Sequence, residues 1–445
     1  MSAQKKVALY TLGCKLNYSE TSAIGRKFEE KGFEKVDFEN RADVYVINTC
    51  SVTEQADQKC RNIIRKAKRQ SPNSKVVVIG CYAQLQPETI SDIEGVDLVL
   101  GTQEKFNILD YLSDLEGTEH GCQIHSTDID KVDFYEGAYS IGDRTRTFLK
   151  VQDGCDYGCA FCTIPMARGR SRSRDINAVK TMAEEIAQKG VKEIVLTGVN
   201  TGDFGKGPSG ARRPNEAFID LIKVLDEIEG IERFRISSIE PNLLTNEIIE
   251  FVAQSKRFMP HFHIPLQSGS NKVLTAMRRR YQRELYAERV AIIKKLMPHC
   301  SIGVDVIVGF PGETERDFLE AYQFINRLDV SYLHVFTYSE RPNTFAADLL
   351  DVVPMEERRK RSKMLRGLSD KKQRHYYDSY IGHSRPVLFE ANNADGFMSG
   401  FTDNYIKVKL PYKQEMTNNI LPVTLRQVDA IGDMRGEKLH HVFEM

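Results

Sequence analysis

The chain lacks several things that would narrow its function at once. It has no net charge, because 62 Lys and Arg stand against 62 Asp and Glu in 445 residues. Any surface for RNA or DNA must therefore come from local patches rather than overall basicity. No run approaches the ~18 apolar residues of a membrane span. The N-terminus, MSAQKKVALYTLGC, lacks the apolar core of an export signal. Nine cysteines, an odd number and mostly far apart, make no disulfide framework in such a chain. A reducing cytoplasm is the expected location. The last absence is a fourth thiol beside Cys155, Cys159 and Cys162, which are spaced C-x₃-C-x₂-C.

That missing thiol is informative. Four cysteines would close a tetrahedral metal site or cap every iron of a cubane. Three leave one iron without a protein ligand, open to a small molecule, as in catalytic metal sites. The competing reading is a zinc loop or three incidental thiols. Zinc needs a fourth ligand, and the next histidine is His261, so iron–sulfur is favoured.

What is present is a globular composition, 41% hydrophobic and 28% charged, long enough for two to four domains. Apolar runs at 5–12, 43–48, 75–79 and 97–100 read as strands. A helical stretch holding Ile24, Phe28 and Phe33 follows the first run, and another from Thr53 to Arg69 follows the second. The alternation predicts a doubly wound parallel sheet. Cys14, Cys50 and Cys81 each sit just past a strand's carboxyl end, 36 and 31 residues apart, about one βαβ unit each. In a parallel sheet those ends share the ligand-binding edge. A lone buried thiol is an ordinary small hydrophobe. Three in the same strand-relative position predict a second three-thiol cluster. Cys60, Cys122 and Cys300 fit neither pattern and read as ordinary thiols.

Residues 121–145 read as a connection between an N-terminal domain (1–120) and a second β/α series (146–375). Strands are expected at 147–152, 193–197, 233–238, 261–266, 302–308 and 331–337. Helices lie between them, near 175–189, 216–229, 245–255, 271–279, 283–297 and 315–328. The last opens on a capping box, Thr314-x-x-Asp317. Six repeats suit a partial TIM-like barrel, with the Cys155–Cys162 loop on the carboxyl-end face where active sites form. The 202–214 insert reads equally as a surface loop or a substrate contact. Residues 356–374 carry nine basic and three acidic side chains, a solvated helix face or an RNA-facing one. Residues 379–445 alternate short apolar runs with turn residues and predict a small β-barrel. With seven basic and eight acidic residues it is not a basic domain.

The C-x₃-C-x₂-C loop at a six-unit barrel mouth resembles the radical S-adenosylmethionine superfamily over residues 146–337. The resemblance implies that Cys155, Cys159 and Cys162 hold a [4Fe-4S] cluster whose open iron chelates S-adenosylmethionine. It also implies reductive cleavage of that sulfonium to a 5′-deoxyadenosyl radical. Cofactor contacts are implied at Phe161, Thr197, Gly198, Asn200, Ser238, Glu240, Gln267 and Gly309. Thr197-Gly198-Val199-Asn200 departs from the superfamily's usual Gly-Gly-Glu. The stretch 307–313 matches its glycine-rich fifth-strand region in part, with Asp305 where that pattern has a glycine and Gly312 where it has an acid.

The segments Thr11-Leu12-Gly13-Cys14-Lys15-Leu16-Asn17, Asn48-Thr49-Cys50-Ser51-Val52 and Gly80-Cys81-Tyr82-Ala83-Gln84 extend the match along the chain, which resembles the methylthiotransferases. That family implies a second [4Fe-4S] cluster on Cys14, Cys50 and Cys81, and a C-terminal TRAM barrel. One S-adenosylmethionine methylates a sulfur and a second activates the substrate. Gly-Cys-Lys-x-Asn and Cys-Thr-Ile-Pro-x-Ala-Arg-Gly resemble the MtaB branch. That branch methylthiolates C2 of N6-threonylcarbamoyladenosine at tRNA position 37. The implied partners are a tRNA anticodon stem-loop and an electron donor such as flavodoxin or ferredoxin, with no membrane and a monomeric protein. Arg168, Arg170, Arg172 and Arg174 follow the cluster loop and are candidates to grip anticodon-loop phosphates, against a solvated or acid-paired loop. Rival functions are methylthiolation of a ribosomal-protein aspartate or of isopentenyladenosine. From another class, the rival is a non-catalytic iron–sulfur or zinc RNA-binding protein.

Overall fold

A computed structural model describes residues 4–50, 54–115, 121–142, 145–207 and 209–438. Ser51, Val52 and Thr53 of the expected second signature and helix start, Pro208 of the insert and the last seven residues lie outside them.

The N-terminal sheet comprises β1 (Lys6–Thr11), β2 (Glu34–Val36), β3 (Val44–Thr49), β4 (Lys75–Gly80), β5 (Leu98–Leu100) and β6 (Gln123–His125). Their order is β2-β1-β3-β4-β5-β6 and every pairing is parallel. β3 and the apolar part of β4 are buried throughout, as strands covered on both faces should be. β6 falls inside the stretch expected as a connection. Its three residues are half-exposed, so no apolar run announces it. Helices α1 (Lys15–Glu30), α2 (Glu54–Gln70) and α3 (Cys81–Leu85) begin after β1, β3 and β4.

The second series contains β7 (Arg146–Lys150), the short β8 (Gln152–Asp153) and β9 (Arg172–Ser173), then β10 (Glu193–Thr197) and β11 (Arg233–Ile236). It continues with β12 (His261–His263), β13 (Ser301–Val308) and β14 (Tyr332–Thr337). Two parallel ladders, β11-β10-β7 and β12-β13-β14, are joined by the Phe234–Phe258 and Ser238–His263 bridges. All six expected long strands are present, in chain order around a barrel left open between β7 and β14. Leu149, Ile194, Phe234, Ile302 and Val304 lie in the core beneath the outer helices. The capping box forms as expected: Thr314 Oγ1 accepts from Asp317 N at 3.2 Å and Asp317 Oδ2 from Thr314 N at 2.9 Å.

Helix α1 covers part of the open side. Its Tyr18 ring meets Phe148 of β7 edge-on at 5.8 Å. A 24-residue helix, Met355–Asp378, packs Leu365 and Leu368 on the barrel core. Beyond it, β15 (Ser384–Phe389), β16 (Phe397–Thr402), β17 (Lys407–Pro411), β18 (Ile420–Val428) and β19 (Met434–Lys438) close into a barrel, β15-β16-β17-β19-β18. The fold is therefore the expected one: a parallel α/β domain, a partial six-strand barrel and a small closed β-barrel.

Two buried carboxylates fasten the outer units to the middle one. Glu193 on β10 is fully buried and pairs with Arg235 at 2.8 Å and Arg233 at 3.7 Å. Arg235 also donates to the carbonyls of Thr402 (2.7 Å) and Asp403 (2.9 Å) in the closed barrel. Glu20 on α1 accepts from Lys105 (2.8 Å), and from Lys150 (2.9 Å) and Arg168 (3.1 Å) of the partial barrel. Burial alone would raise the Glu20 carboxyl, but Arg168, Lys105 and Lys150 outweigh it and hold it far below the usual range.

Candidate active site

β1, β3 and β4 are adjacent, so Cys14, Cys50 and Cys81 project from neighbouring strand ends on one edge. Strands stand about 4.8 Å apart, a spacing that brings such side chains together. Gly13 has φ of +102°, and a Cβ there would meet Cys50 Cβ at 2.7 Å and Cys50 Sγ at 3.1 Å. Only glycine lets β1 turn into α1 with the Cys50 thiol so near. Asn17 ties the edge together by donating to the carbonyls of Leu12 and Thr49, each at 2.9 Å. Cys14 is exposed, while Cys50 and Cys81 are buried. Burial pushes the Cys81 thiol up, and Arg168 opposes that rise.

The second trio follows β8. Gly154 has φ of +68°, and a Cβ there would lie 2.0 Å from the Arg170 carbonyl, so the loop doubles back only with glycine. Cys155 N–H donates to Gly169 O at 3.0 Å and Ala160 N–H to Met277 O at 3.0 Å. Burial pushes the Cys155 and Cys162 thiols up to about 12. Burial also raises Cys159, against the pull of Arg279, whose guanidinium donates to Cys159 Sγ at 3.0 Å. Buried thiols without enough nearby positive charge stay protonated, and they become thiolates when a metal supplies that charge.

Spacing discriminates between metals. Tetrahedral zinc with ~2.3 Å bonds needs sulfurs about 3.8 Å apart. Among the described residues, the group of potential ligands drawn within 4.8 Å of one another is His263, Asp305 and His334; neither cysteine trio is drawn that tightly. No His, Asp or Glu joins either trio to close a four-ligand site among the described residues. Three thiols with no fourth protein ligand are the donor set of a cubane with one open iron. Cys60, in contrast, is sealed within α2, with burial raising its thiol to about 12.

The expected cofactor contacts gather unequally. Phe161, Cys162 and Gln267 line a cavity of about 210 Å³ together with Asp305, Ile307 and Phe336. Asn200 is buried, and among the described residues neither polar atom of its side chain has a partner. Such atoms are costly unless a ligand satisfies them. Its backbone N–H donates to Gln152 Oε1 at 2.8 Å, placing it beside the cluster loop, and Gly198 packs against the same glutamine. Thr197 spends its hydroxyl on the Val195 carbonyl at 3.0 Å. Ser238 bonds His263 at 2.9 Å, and Glu240 is ion-paired to Arg279. Gly309 spends its N–H on Glu313 Oε2 at 2.7 Å, and a Cβ there would meet Arg358 Cγ at 2.3 Å.

The arginine expectation divides. Arg170 and Arg174 are exposed. Arg168 and Arg172 are buried and cannot reach phosphates. Arg168 pairs with Glu20 and Asp153 (2.9 Å), and Arg172 donates to the carbonyls of Phe134 (2.6 Å) and Arg168 (2.6 Å). Four buried cations (Lys105, Lys150, Arg168, Arg172) thus face two buried carboxylates, Glu20 and Asp153. Arg168 also lies within the fields of Cys14 and Cys81. The cationic excess suits an anionic three-thiolate centre. Sequence reasoning missed Glu20, Lys105, Lys150, Asp153 and Arg279. The available signal was Lys150 alone among apolar neighbours in Phe148-Leu149-Lys150-Val151.

Residues 6–101 match the family described as "Uncharacterized protein family UPF0004", and residues 149–325 match the radical SAM superfamily. The chain is similar to the threonylcarbamoyladenosine tRNA methylthiotransferase MtaB of Bacillus subtilis (strain 168), at 43% identity over 94% of this chain and 93% of the relative. The relative of the same name in Aquifex aeolicus (strain VF5) shares 40% over 91% and 96%. A tRNA-2-methylthio-N(6)-dimethylallyladenosine synthase of Ruegeria sp. (strain TM1040) shares 34% over 91% and 92%. In fold, the chain is similar to the radical S-adenosylmethionine methyltransferase TsrM from Kitasatospora setae, with TM-score 0.56 and 14% identity, over 89% of this chain and 80% of that one. The chain belongs to the radical S-adenosylmethionine tRNA methylthiotransferase family, in its MtaB branch.

Proposed function

We propose that the chain converts N6-threonylcarbamoyladenosine at tRNA position 37 to its 2-methylthio derivative, using S-adenosylmethionine and two [4Fe-4S] clusters, one on each cysteine trio. The observation that carries this reading is the pair of three-thiol edges on two domains fastened face to face through Glu20. When bound, the cluster at Cys155, Cys159 and Cys162 supplies reductive cleavage of S-adenosylmethionine, and the one at Cys14, Cys50 and Cys81 a site for the sulfur.

The chain's own residues have definable duties. Arg279 donates to Cys159 and places positive charge beside an anionic centre. Asn200 offers a buried donor and acceptor to the amino and carboxylate groups of S-adenosylmethionine. Phe161 and Ile307 present apolar surface in the adjoining cavity. Anticodon-loop phosphates are within the compass of exposed Arg170 and Arg174, and of the exposed Arg359, Lys363 and Arg366 on the 355–378 helix. No described helix is long and apolar enough to cross a membrane. The protein works in the cytoplasm as a monomer, fed electrons by a flavodoxin or ferredoxin. Similarity of 43% and 40% to relatives named for threonylcarbamoyladenosine, against 34% to one named for dimethylallyladenosine, favours the acidic substrate.

Nucleoside mass spectrometry of tRNA from a strain lacking the gene tests the reading. The expected result is loss of the 2-methylthio form with the threonylcarbamoyl precursor retained. Persistence of the 2-methylthio form, or loss of the isopentenyl counterpart instead, refutes the substrate assignment.

A further inference from the structure

Glu20 fastens the N-terminal domain to one lip of the open barrel, at Lys150 of β7. The other lip carries a second fastening, which the chemistry assigned to the two cysteine trios does not use. Arg341, in the segment that follows β14, donates to Asp57 Oδ2 of α2 at 2.6 Å. Both side chains are buried, Arg341 at 6% exposure and Asp57 at 8%. Beside them Glu54 N–H points to Ser339 Oγ at 3.5 Å. Asp57 stands in the first turn of α2, where a carboxylate also suits the helix dipole, seven residues after Cys50.

The segment that carries Arg341 has two further attachments. Tyr338 and Ser339 line the cavity that holds Phe161 and Cys162. Thr344 turns the segment back by donating its hydroxyl to the Arg341 carbonyl at 2.8 Å. Ala346 N–H then donates at 2.8 Å to the carbonyl of Ala160, which lies between Cys159 and Cys162. The stretch 338–346 therefore touches the wall of the cavity, the loop of one cysteine trio and the helix that follows a member of the other.

If stability were all that this contact supplied, apolar side chains would serve as well, since packed hydrophobic residues of similar volume often match a buried ion pair. What the pair adds is direction. A buried carboxylate and guanidinium repay their desolvation only in good geometry, so they hold α2 at one distance and angle from the cavity wall. Fastening at β7 alone permits a pivot about that lip, and fastening at both lips removes it. The chemistry makes that angle matter. A sulfur held at Cys14, Cys50 and Cys81 has to meet the substrate carbon that is activated beside Cys162, and misplacement by about 1 Å can cost ~100-fold in rate.

We propose that Asp57 and Arg341 are positioning residues that set the register of the two cysteine trios through the 338–346 segment, and so couple radical formation to sulfur insertion. The assignment rests on the two-cluster reading above. It gives neither side chain a contact with substrate or cofactor; both act through the parts they hold.

The test compares reconstituted wild type, Asp57→Ala, Arg341→Met, the double variant and Arg341→Lys on an anticodon stem-loop RNA that carries N6-threonylcarbamoyladenosine. Methylthio product and 5′-deoxyadenosine are counted in the same reaction. Hydrogen–deuterium exchange of the same holoenzymes follows peptides covering 54–60 and 338–346. Both single variants are expected to keep the iron content and 5′-deoxyadenosine release of wild type, while product per 5′-deoxyadenosine falls by about ten- to a hundredfold. Exchange should rise in both peptides, including the one whose sequence is unaltered. The double variant should be no worse than either single one, because both remove the same contact. Arg341→Lys, which keeps the charge, should recover part of the coupling. Unchanged product per 5′-deoxyadenosine in both single variants overturns the proposal. So does a parallel loss of product and 5′-deoxyadenosine release, the result of a merely structural bridge, or a double variant whose defect is the product of the two single ones. Wild type that makes no methylthio product from this RNA sinks the substrate reading, and wild type with about four irons sinks the two-cluster reading. An active eight-iron wild type beside equally coupled variants sinks only the positioning role.

Discussion

Replacing Glu20 by Gln keeps the shape of the side chain and removes the one negative charge that N- and C-terminal halves of the docking site share. In the structure that carboxylate is fully buried and receives Lys105 at 2.8 Å, Lys150 at 2.9 Å and Arg168 at 3.1 Å. Without it, the four buried cations of the site retain only Asp153. Breaking a buried ion pair by removing one partner costs about 3–5 kcal/mol, because the other charge stays buried and uncompensated. Every 1.4 kcal/mol is a factor of ten, so the docked arrangement should weaken by roughly a hundredfold to a few thousandfold. Lys105 belongs to the N-terminal domain and Lys150 and Arg168 to the barrel, so the loss falls on docking as well as on folding. Urea unfolding and limited proteolysis should show the N-terminal domain released early. Release of 5′-deoxyadenosine by the barrel should continue while methylthiolation falls by at least tenfold. A double-mutant cycle with Arg168→Met should give strong coupling. The pH response has a definite sign. The Glu20 carboxyl is held below its unfolded value, so its stabilisation is present above the ordinary Glu range, near pH 4.3, and is lost as pH falls below it. Glu20→Gln should flatten that acid-side decline. A loss under about 1 kcal/mol, with methylthiolation intact, would refute the fastening role.

Other outcomes follow from single contacts. Cys81→Ala should abolish methylthiolation yet leave S-adenosylmethionine cleavage measurable by 5′-deoxyadenosine release; loss of both would show that the trios are not separable. Asn200→Leu should weaken S-adenosylmethionine binding in equilibrium dialysis by tenfold or more, because its unsatisfied buried amide is the group offered to a ligand; unchanged binding removes it from the site. Gly303→Ala drives a methyl to 2.4 Å from the Tyr332 ring and should cost about 1–3 kcal/mol in urea unfolding, with an unchanged midpoint contradicting the packing. Arg235→Met breaks the bonds to Thr402 O and Asp403 O, and should make the chain cleavable by protease near residues 379–383 while the barrel survives.

Much of this architecture was legible in the residues because strand, helix and turn signals repeat locally. The buried runs of β3 and β4, the capping box at Thr314 and the cysteines past strand ends each declare themselves within a few residues. β6 and β19 did not, because short half-exposed strands carry little apolar periodicity, and β16 did not because its buried positions are Met398, Ser399, Gly400 and Thr402, only one of them a large apolar side chain. The docking was illegible for a different reason. Glu20 and Lys105 carry charges in helical segments, and nothing within a few residues of either announces the buried ion pairs that the fold gives them. Arg168 looked like a phosphate contact for the same reason, since an arginine's fate depends on which carboxylate the fold brings to it.

Iron and acid-labile sulfide counting after anaerobic reconstitution tests the account most directly. The account expects about eight irons per chain in wild type. It expects about four in Cys14→Ala/Cys50→Ala/Cys81→Ala, with 5′-deoxyadenosine release preserved in that variant. About four irons in wild type, or zinc in place of iron at either trio, would contradict it.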